Sequence, residues 1–179
     1  MGPAVIWTIG HSTRSLEDFL GLLGAERIEL LADVRRYPAS RMHPHFNAEI
    51  FRQSLIATGL RYEAYSELGG RRSPRAGSTN TRWRNASFRG YADYMETPAF
   101  DAALARLMAD AAHARTAIMC AEAPWWRCHR ALIADALKAR GMEVLHIMGE
   151  GKLIVHPYTS AASVVDGVLY YGPSRDLFA

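Results

Sequence analysis

Short apolar runs that alternate with amphipathic helical segments constrain the fold of this chain more than any other feature. Four of these runs are predicted to be buried strands: Ala4–Ile9, Ile28–Val34, Thr116–Cys120 and Met142–Met148. Strands that are joined through a helix pair in parallel, because the chain re-enters the sheet in the same direction. The sequence therefore predicts an α/β fold with a mostly parallel sheet flanked by helices, as in Rossmann-like three-layer proteins.

Helical spacing of apolar residues marks the segments between the strands. The first helix follows Ser12 or Thr13, either of which can cap it. Leu60–Leu68 is predicted to be a short strand and turn. The other predicted helices are Asn47–Thr58, one that resumes near Tyr91, Pro98–His113, and Cys128–Arg140 with Gly141 as its C-terminal cap.

The length of 179 residues suits a single domain with a full hydrophobic core. The segment Gly69–Asn85 reads GGRRSPRAGSTNTRWRN, which predicts a long polar loop of the functional or mobile kind. We therefore expect one α/β domain over residues 1–179, with a long Arg-rich loop at 69–90. Residues 151–179 are predicted to be irregular, with one helix at Ser160–Asp166.

Composition limits the environment in which the chain works. No apolar run approaches the roughly 20 residues that span a bilayer, and the start MGPAVIWTIGH does not resemble a signal peptide. We expect a cytoplasmic protein without membrane contact, whose two cysteines remain thiols. Arginine supplies 19 of the 21 basic residues, but the abundant alanine also fits a GC-rich genome. The net charge of +3 therefore does not by itself indicate nucleic-acid binding.

Polar and ionisable residues follow each of the four predicted strands. The carboxyl ends of parallel strands share one edge of the sheet, where α/β proteins bind their ligands. The residues concerned are His11 and Ser12 after the first strand, Asp33 and Arg35 after the second, Cys120 and Glu122 after the third, and His146 in the fourth. We expect a functional site at this edge.

The segment MCAEAPWWRCHRAL, Met119–Leu132, contains both cysteines and most of the predicted chemistry. Its thiols, carboxylate and imidazole can act as nucleophile and as general acid or base. The predicted catalytic residues are His11, Asp33, Cys120 and Glu122, and the predicted anion-binding residues are Ser12, Arg35, Cys128, His129 and Arg130. The structural alternatives are a core thiol at Cys120, an internal Asp33–Arg35 ion pair, and pairing of Glu122 with the basic residues of the following helix.

Two more specific interpretations of this segment fit poorly. Six residues separate Cys120 from Arg127, one more than in the loop of thiol phosphatases, and Glu122 would repel a phosphate. Zinc takes thiolate, imidazole and carboxylate ligands, but the spacing matches no common zinc knuckle. A Cys–Cys redox couple remains open, although there is no C-x-x-C motif. We expect no metal and no cofactor, with zinc as the remaining alternative.

Arginine and aromatic residues are interleaved between residues 71 and 94. This combination suits phosphate contacts together with base stacking. The predicted nucleic-acid-binding residues are Arg71, Arg72, Arg82, Trp83, Arg84 and Arg89. The alternative is a solvated loop whose aromatic residues anchor it to the body of the domain.

Several blocks together resemble the domain of unknown function 488 family. They are TIGHSTRSLEDFLGLL, LADVRRYPASRMHPHF, YSELGG, FRGYADYM and CAEAPWWRCHRALIADAL, and they run from about Thr8 to His146. The resemblance implies a compact cytoplasmic α/β domain of bacteria and archaea and carries no reaction with it. The family's recurring residues correspond here to His11, Ser12, Asp33, Arg35, Pro38, Ser40, Gly69, Gly70, Cys120, Glu122, Cys128, His129 and Arg130.

These observations predict an enzyme that binds a phosphate or another anion and acts on a nucleotide or a nucleic-acid-derived substrate. The reaction is hydrolytic or a glycosyl-type transfer. The alternatives are a non-catalytic nucleic-acid-binding module and a metal-binding structural or regulatory domain. The expected partner is an anionic small molecule or a nucleic acid, and the oligomeric state stays open.

Overall fold

The computed structural model describes residues 2–173, and its centre is a six-stranded sheet. The strand order is β3-β2-β4-β1-β5-β6, in which β6 alone runs antiparallel to its neighbour. The strands are β1 (Val5–Gly10), β2 (Leu30–Asp33), β3 (Arg61–Ala64), β4 (Thr116–Cys120), β5 (Glu143–Gly149) and β6 (Lys152–Val155). The predicted α/β fold with a mostly parallel sheet is confirmed.

Helices on both faces of the sheet complete three layers. They are α1 (Leu16–Ala25), α2 (Ala48–Ile56), α3 (Ala86–Met95), α4 (Pro98–His113) and α5 (Arg130–Ala139). Neighbouring strand residues point to opposite faces, so Ile6 packs in one apolar cluster and Trp7 in the other. The cluster around Trp7 includes the apolar side of α1 and α2, and the cluster around Ile6 includes that of α3, α4 and α5.

Helix α5 is the most enclosed helix in the described part of the chain, because every residue from Arg130 to Leu137 is buried. A two-stranded hairpin, β7 (Ser163–Val165) and β8 (Val168–Tyr170), contacts α5. Asp135 of α5 accepts hydrogen bonds from Thr159 Oγ1 at 2.6 Å and from Tyr171 Oη at 2.8 Å. The C-terminal segment is therefore tied over the helix that begins at the candidate site.

Two predictions for the C-terminal segment are wrong in detail. The helix predicted at Ser160–Asp166 is absent; its residues Ser163–Val165 form β7, which pairs with β8 across a turn at Asp166 and Gly167 with φ of 51° and 77°. Asp-Gly between apolar residues is a strong hairpin signal, because both turn residues need positive φ. Strand β6 likewise replaces irregular chain. The rest of the predicted irregular segment, residues 174–179, lies outside the described residues.

Three predicted helix starts also differ from the structure. Helix α1 is capped by Ser15, whose side chain accepts from the Asp18 amide, and not by Ser12 or Thr13. Helix α3 begins at Ala86, because the Asn85 side chain accepts hydrogen bonds from the Ser87 and Phe88 amides. Residues 86–90 thus belong to a helix and not to the Arg-rich loop. Helix α5 begins two residues after the predicted start, since Cys128 is extended, with φ −125° and ψ 149°.

Candidate active site

The polar residues at the carboxyl ends of β1, β2 and β4 lie together at one edge of the sheet, because these strands are neighbours. β1 lies between β4 and β5, and β4 lies between β1 and β2. The register places Gly10 beside Cys120 and Asp33 beside Met119. His11, Asp33 and Cys120 therefore meet at one edge, as the alternation of strands and helices predicts.

The two cysteines and an arginine form the centre of this edge. Cys120 Sγ lies 2.7 Å from Cys128 Sγ, and Arg130 Nη1 donates to Cys120 Sγ at 3.1 Å. Arg130 Nη2 donates to the Ala123 carbonyl oxygen at 2.9 Å. Because Cys128 precedes α5 and Arg130 begins it, the turn from β4 into α5 brings both thiols and the guanidinium together.

Arg130 is almost completely buried, at 1% exposure. Within residues 2–173, no carboxylate forms an ion pair with it, and its Nε has no hydrogen-bond partner. A buried charge is costly unless a charge of opposite sign is close. Cys120 as a thiolate supplies that charge, 3.1 Å from Arg130 Nη1.

The environment of Cys120 lowers the pKa of its thiol. Burial alone raises this pKa, but the hydrogen bond with Cys128 and the charge of Arg130 outweigh burial and bring it to about 7. Burial raises the pKa of Cys128 well above its ordinary value, and the neighbouring Cys120 adds to the effect. Above about pH 7 the pair therefore consists mainly of one thiolate, Cys120, and one thiol, Cys128.

His129 is held as a neutral imidazole beside this pair. Its Nε2 lies 3.2 Å from the Val34 carbonyl oxygen, which can only accept, so Nε2 carries the proton. Its Nδ1 is then an acceptor, 3.5 Å from Cys128 Sγ. Burial lowers the pKa of His129 to about 4. A side chain at Gly70 would contact this Nδ1 at 2.8 Å, which accounts for a glycine at that position.

Asp33 and Arg35 form a closed ion pair next to the thiols. Arg35 Nε and Nη2 donate to the two carboxylate oxygens at 2.9 and 2.6 Å, and Tyr62 Oη donates to the same carboxylate at 2.6 Å. Arg35 Nη1 donates to the Phe46 carbonyl oxygen at 2.8 Å. These bonds give Asp33 and Arg35 internal partners, which is the structural alternative considered for the pair.

His11 lies against this ion pair. Its Nδ1 donates to the Ser12 carbonyl oxygen at 3.0 Å, so its Nε2 is the acceptor that faces Arg35 Nη1 at 3.4 Å. Its ring stacks on Phe46, with the ring centres 4.3 Å apart. Burial lowers the pKa of His11 to about 4, and the Arg35 charge adds to this effect. His11 is therefore a neutral imidazole at neutral pH.

Ser12 and Glu122 lie beside the thiol pair in different ways. Ser12 has a φ of 47°, unusual for a residue other than glycine, and its amide donates to the Ala121 carbonyl oxygen. The Glu122 side chain is exposed, while its carbonyl oxygen packs against Gly10, where a Cβ would approach it to 1.9 Å. Glu122 is thus the exposed carboxylate closest in sequence to Cys120.

The structure adds exposed residues that the sequence analysis did not select. Arg36 and Tyr37 follow β2, and Trp126 and Arg127 lie between β4 and α5. Tyr37 is 62% exposed and Trp126 is 53% exposed, which is unusual for large aromatic residues. β2 and β4 are neighbours, so both pairs lie at the carboxyl edge. In the sequence, the dipeptides Arg36-Tyr37 and Trp126-Arg127 stand next to the predicted site residues Arg35 and Cys128, and this proximity is the signal that indicates them.

The Arg-rich loop is anchored to the body of the domain at several points. Arg72 stacks on Tyr94 at 3.6 Å from the ring centre and donates to the Gly69 carbonyl oxygen. Arg82 donates to Ser163, and Trp83 packs against Phe88 and Tyr171. Arg71 and Arg84 are exposed and Arg89 is half-buried. The loop thus uses much of its aromatic surface internally, while Arg71, Arg75, Arg82 and Arg84 remain exposed.

Neither a metal centre nor a membrane span is found in the described part of the chain. Between residues 2 and 173, no group of three or more His, Cys, Asp or Glu side chains is arranged to hold a metal ion. His146 belongs to a separate, buried series of hydrogen bonds: its side chain bonds to that of Thr8 at 2.6 Å and to that of His156 at 2.9 Å. None of the described helices has the length and apolar character needed to cross a bilayer.

The fold and the site together define the class of protein: an α/β protein with a mostly parallel sheet, whose carboxyl edge buries a cysteine pair beside an arginine that has no carboxylate partner in the described residues. The family model described as domain of unknown function DUF488 matches residues 15–137 of the sequence. The chain therefore belongs to that family. The matched region ends within α5 and includes both cysteines. No curated protein and no solved structure is detectably similar to the chain.

Proposed function

We propose that this protein is an enzyme whose nucleophile is the Cys120 thiolate and whose substrate is a nucleotide or a segment of nucleic acid. One observation carries the proposal: the buried guanidinium of Arg130 donates to Cys120 Sγ and has no carboxylate partner within residues 2–173. Thiolates, and not thiols, are the reactive form of cysteine. A buried thiolate near neutral pH costs free energy of desolvation, and residues whose pKa is perturbed in this way concentrate at functional sites.

The substrate class follows from the exposed residues at the same edge. Arginines 36 and 127 supply guanidinium groups for phosphates, and Tyr37 and Trp126 offer exposed rings on which bases can stack. Arg35 and Arg130 are less suited to bind a substrate anion, because both side chains are buried and already donate to internal partners. The anion site is therefore assigned to the exposed arginines rather than to the buried ones.

Cys120 is only 1% exposed, so the substrate reaches it only after a local opening, which we assign to residues 121–127, where the Glu122 carbonyl oxygen lies 3.8 Å from Cys120 Sγ. This segment contains the exposed residues Glu122 and Trp126, so a substrate stacked on Trp126 can favour the open form. Glu122 is then placed to act as general acid or base. The acceptor that takes the transferred group from Cys120, water or a second substrate, distinguishes a hydrolase from a transferase.

The experiment incubates reduced protein with mixed nucleotides and with single-stranded and duplex oligonucleotides, and follows phosphate release, base release and strand cleavage. We expect turnover by the wild type, loss of turnover in Cys120→Ser, and a substrate-derived mass increase on the Cys120 peptide after rapid acid quenching. Glu122→Gln is expected to slow turnover by about 100-fold or more. Unchanged turnover in both variants contradicts the proposal.

Substrate binding provides a separate test of the exposed edge. Arg36→Ala is expected to weaken oligonucleotide binding by about tenfold, the loss of one charge-assisted hydrogen bond. Arg61→Ala is the matched control, because Arg61 is also exposed but begins β3 at the opposite edge of the sheet. Equal effects of the two substitutions would mean that binding follows net charge and not the proposed edge.

A non-catalytic nucleic-acid-binding module is the second candidate, favoured by the exposed arginines 71 and 84 of the Arg-rich loop. It predicts binding that weakens steeply with salt, no turnover, and no effect of Cys120→Ser. Arg84→Ala then weakens binding more than Arg36→Ala does. The opposite order, together with turnover, favours the enzyme.

A further inference from the structure

The two thiols at the carboxyl edge are closer together than a catalytic nucleophile or a structural core thiol requires. Their Sγ atoms are 2.7 Å apart, and both cysteines are free. A disulfide bond joins sulfur atoms at about 2.05 Å, so bond formation needs a movement of only about 0.7 Å. A nucleophile alone does not need a second thiol at this distance, and a purely structural thiol does not need a guanidinium donor.

We propose that Cys120 and Cys128 form a reversible intramolecular disulfide when a hydroperoxide oxidises Cys120, and that this bond switches the site off. The chemical part of the inference rests on the thiol geometry alone. The loss of activity rests on the proposed function, because it assumes that Cys120 is the nucleophile.

The reaction proceeds in two balanced steps. The Cys120 thiolate attacks one oxygen of the hydroperoxide, the O–O bond breaks, and Cys120 becomes a sulfenic acid while the departing oxygen takes a proton from solvent. Cys128 sulfur then attacks Cys120 sulfur, the S–O bond breaks, and the Cys128 proton leaves with the hydroxide as water. The two sulfur atoms together lose two electrons, which reduce the peroxide. A dithiol reductant reverses the change by thiol–disulfide exchange.

The surroundings of the pair favour this order of events. Arg130 keeps Cys120 in the thiolate form that attacks the peroxide, while Cys128 keeps its proton partly because the Cys120 charge is adjacent. The sulfenic acid is neutral, so the first step removes that charge and makes Cys128 easier to deprotonate. Nδ1 of His129, an acceptor 3.5 Å from Cys128 Sγ, lies where it can relay the Cys128 proton to the departing hydroxide.

The burial of both thiols determines which oxidants can reach them. Cys120 and Cys128 are 1% and 6% exposed, so a hydroperoxide of the size of water reaches the pair more readily than a bulky disulfide does. The disulfide also removes the thiolate beside Arg130, which leaves the guanidinium with only the Ala123 carbonyl oxygen among its described polar partners. We therefore expect faster amide exchange at the start of α5 in the oxidised form, although a covalent bond has been added.

The experiment treats the reduced full-length protein with hydrogen peroxide, and separately with glutathione disulfide. The protein is then unfolded, alkylated and examined by mass spectrometry. Peroxide is expected to remove both free thiols within one chain, with dithiothreitol restoring them, and glutathione disulfide is expected to react at least tenfold more slowly. Cys128→Ser is expected to stop at a sulfenic acid on Cys120 that dimedone traps, and Cys120→Ser to lose the fast reaction.

Different results separate this inference from the proposed function. Two free thiols after peroxide treatment, a sulfinic acid on Cys120 of the wild type, or a disulfide between chains each overturn the inference. A reversible disulfide in a protein without turnover upholds the chemistry and removes the enzyme. Turnover that continues at full rate in the disulfide form overturns the switch, whereas loss of turnover that dithiothreitol restores supports both.

Discussion

The Cys120 thiolate makes the stability of the fold depend on pH in a window that contains few other titrations. The pKa of this thiol falls from an ordinary value of 9.0 to about 7 in the folded protein. A group whose pKa is lowered on folding stabilises the folded state above its unfolded pKa, and this contribution disappears as pH falls through its folded pKa. Stability is therefore expected to rise between pH 7 and pH 9.

The size of this rise follows from the shift. Two pKa units correspond to about 2.7 kcal/mol, of which about 1.5 to 2 kcal/mol is gained between pH 6.5 and pH 8.5. Cys128 acts in the opposite direction, because its raised pKa keeps it protonated in the folded state while the unfolded chain releases the proton. Its contribution grows only near and above its ordinary pKa of 9.0, which sets the upper limit of the useful window.

The assay is denaturant-induced unfolding under reducing conditions at closely spaced pH values between 6.5 and 8.5. We expect the free energy of unfolding of the wild type to rise by about 1.5 to 2 kcal/mol relative to Cys120→Ser. The serine variant keeps the other titrating groups and so serves as the control for the histidines. Parallel curves for the two proteins would refute the thiolate assignment, and a larger rise in the variant would reverse its sign.

Three further predictions concern the packing and charge of the same edge. Gly10→Ala is expected to destabilise the fold by about 1–3 kcal/mol or more, because a Cβ would meet the Glu122 carbonyl oxygen at 1.9 Å. Gly24→Ala, in an open helical position of α1, is the control and is expected to stabilise by about 0.5–1 kcal/mol in the same denaturant assay. Asp33→Asn leaves the buried Arg35 without its counter-charge and is expected to cost about 3–5 kcal/mol in thermal or chemical unfolding; no loss would contradict the ion pair. Acidification from pH 6.5 to pH 4 is expected to remove about 3 kcal/mol through His129, whose pKa is lowered to about 4, because the unfolded chain binds the proton first. His129→Gln should make that part of the pH profile less steep, leaving the contribution of His11, and an unchanged profile would mean that His129 is not buried as a neutral group.

The parallel sheet and its polar edge could be predicted because they depend on local patterns. The apolar runs before Gly10, Val34 and Cys120 are short and bounded, so they identify strands, and the helices between them require parallel pairing. The hairpin around Asp166 and Gly167 could also have been predicted from its turn sequence. It was missed because Ser160–Asp166 contains alanines that also suit a helix.

The state of the site residues could not be predicted from their order in the chain. The sequence shows Asp33 near Arg35 and Cys120 near Arg130, but it does not show which arginine has a carboxylate partner. That difference depends on side-chain direction: Arg35 turns back onto Asp33, while Arg130 points from α5 toward β4. Exposure of Tyr37 and Trp126 is likewise a property of the folded edge, since most aromatic residues of this size are buried.

A direct titration of the Cys120 thiol tests the central claim most simply. The ultraviolet absorbance of the thiolate would be followed across pH in the reduced wild type, with Cys120→Ser subtracted. The account predicts a transition centred at about pH 7 that moves to higher pH in Arg130→Met, where the hydrogen bond with Cys128 remains, and that moves less in Arg130→Lys, which keeps the charge. A wild-type transition at or above 9.0, unaffected by the loss of the Arg130 charge, would contradict a thiolate held by Arg130 and with it the proposed nucleophile.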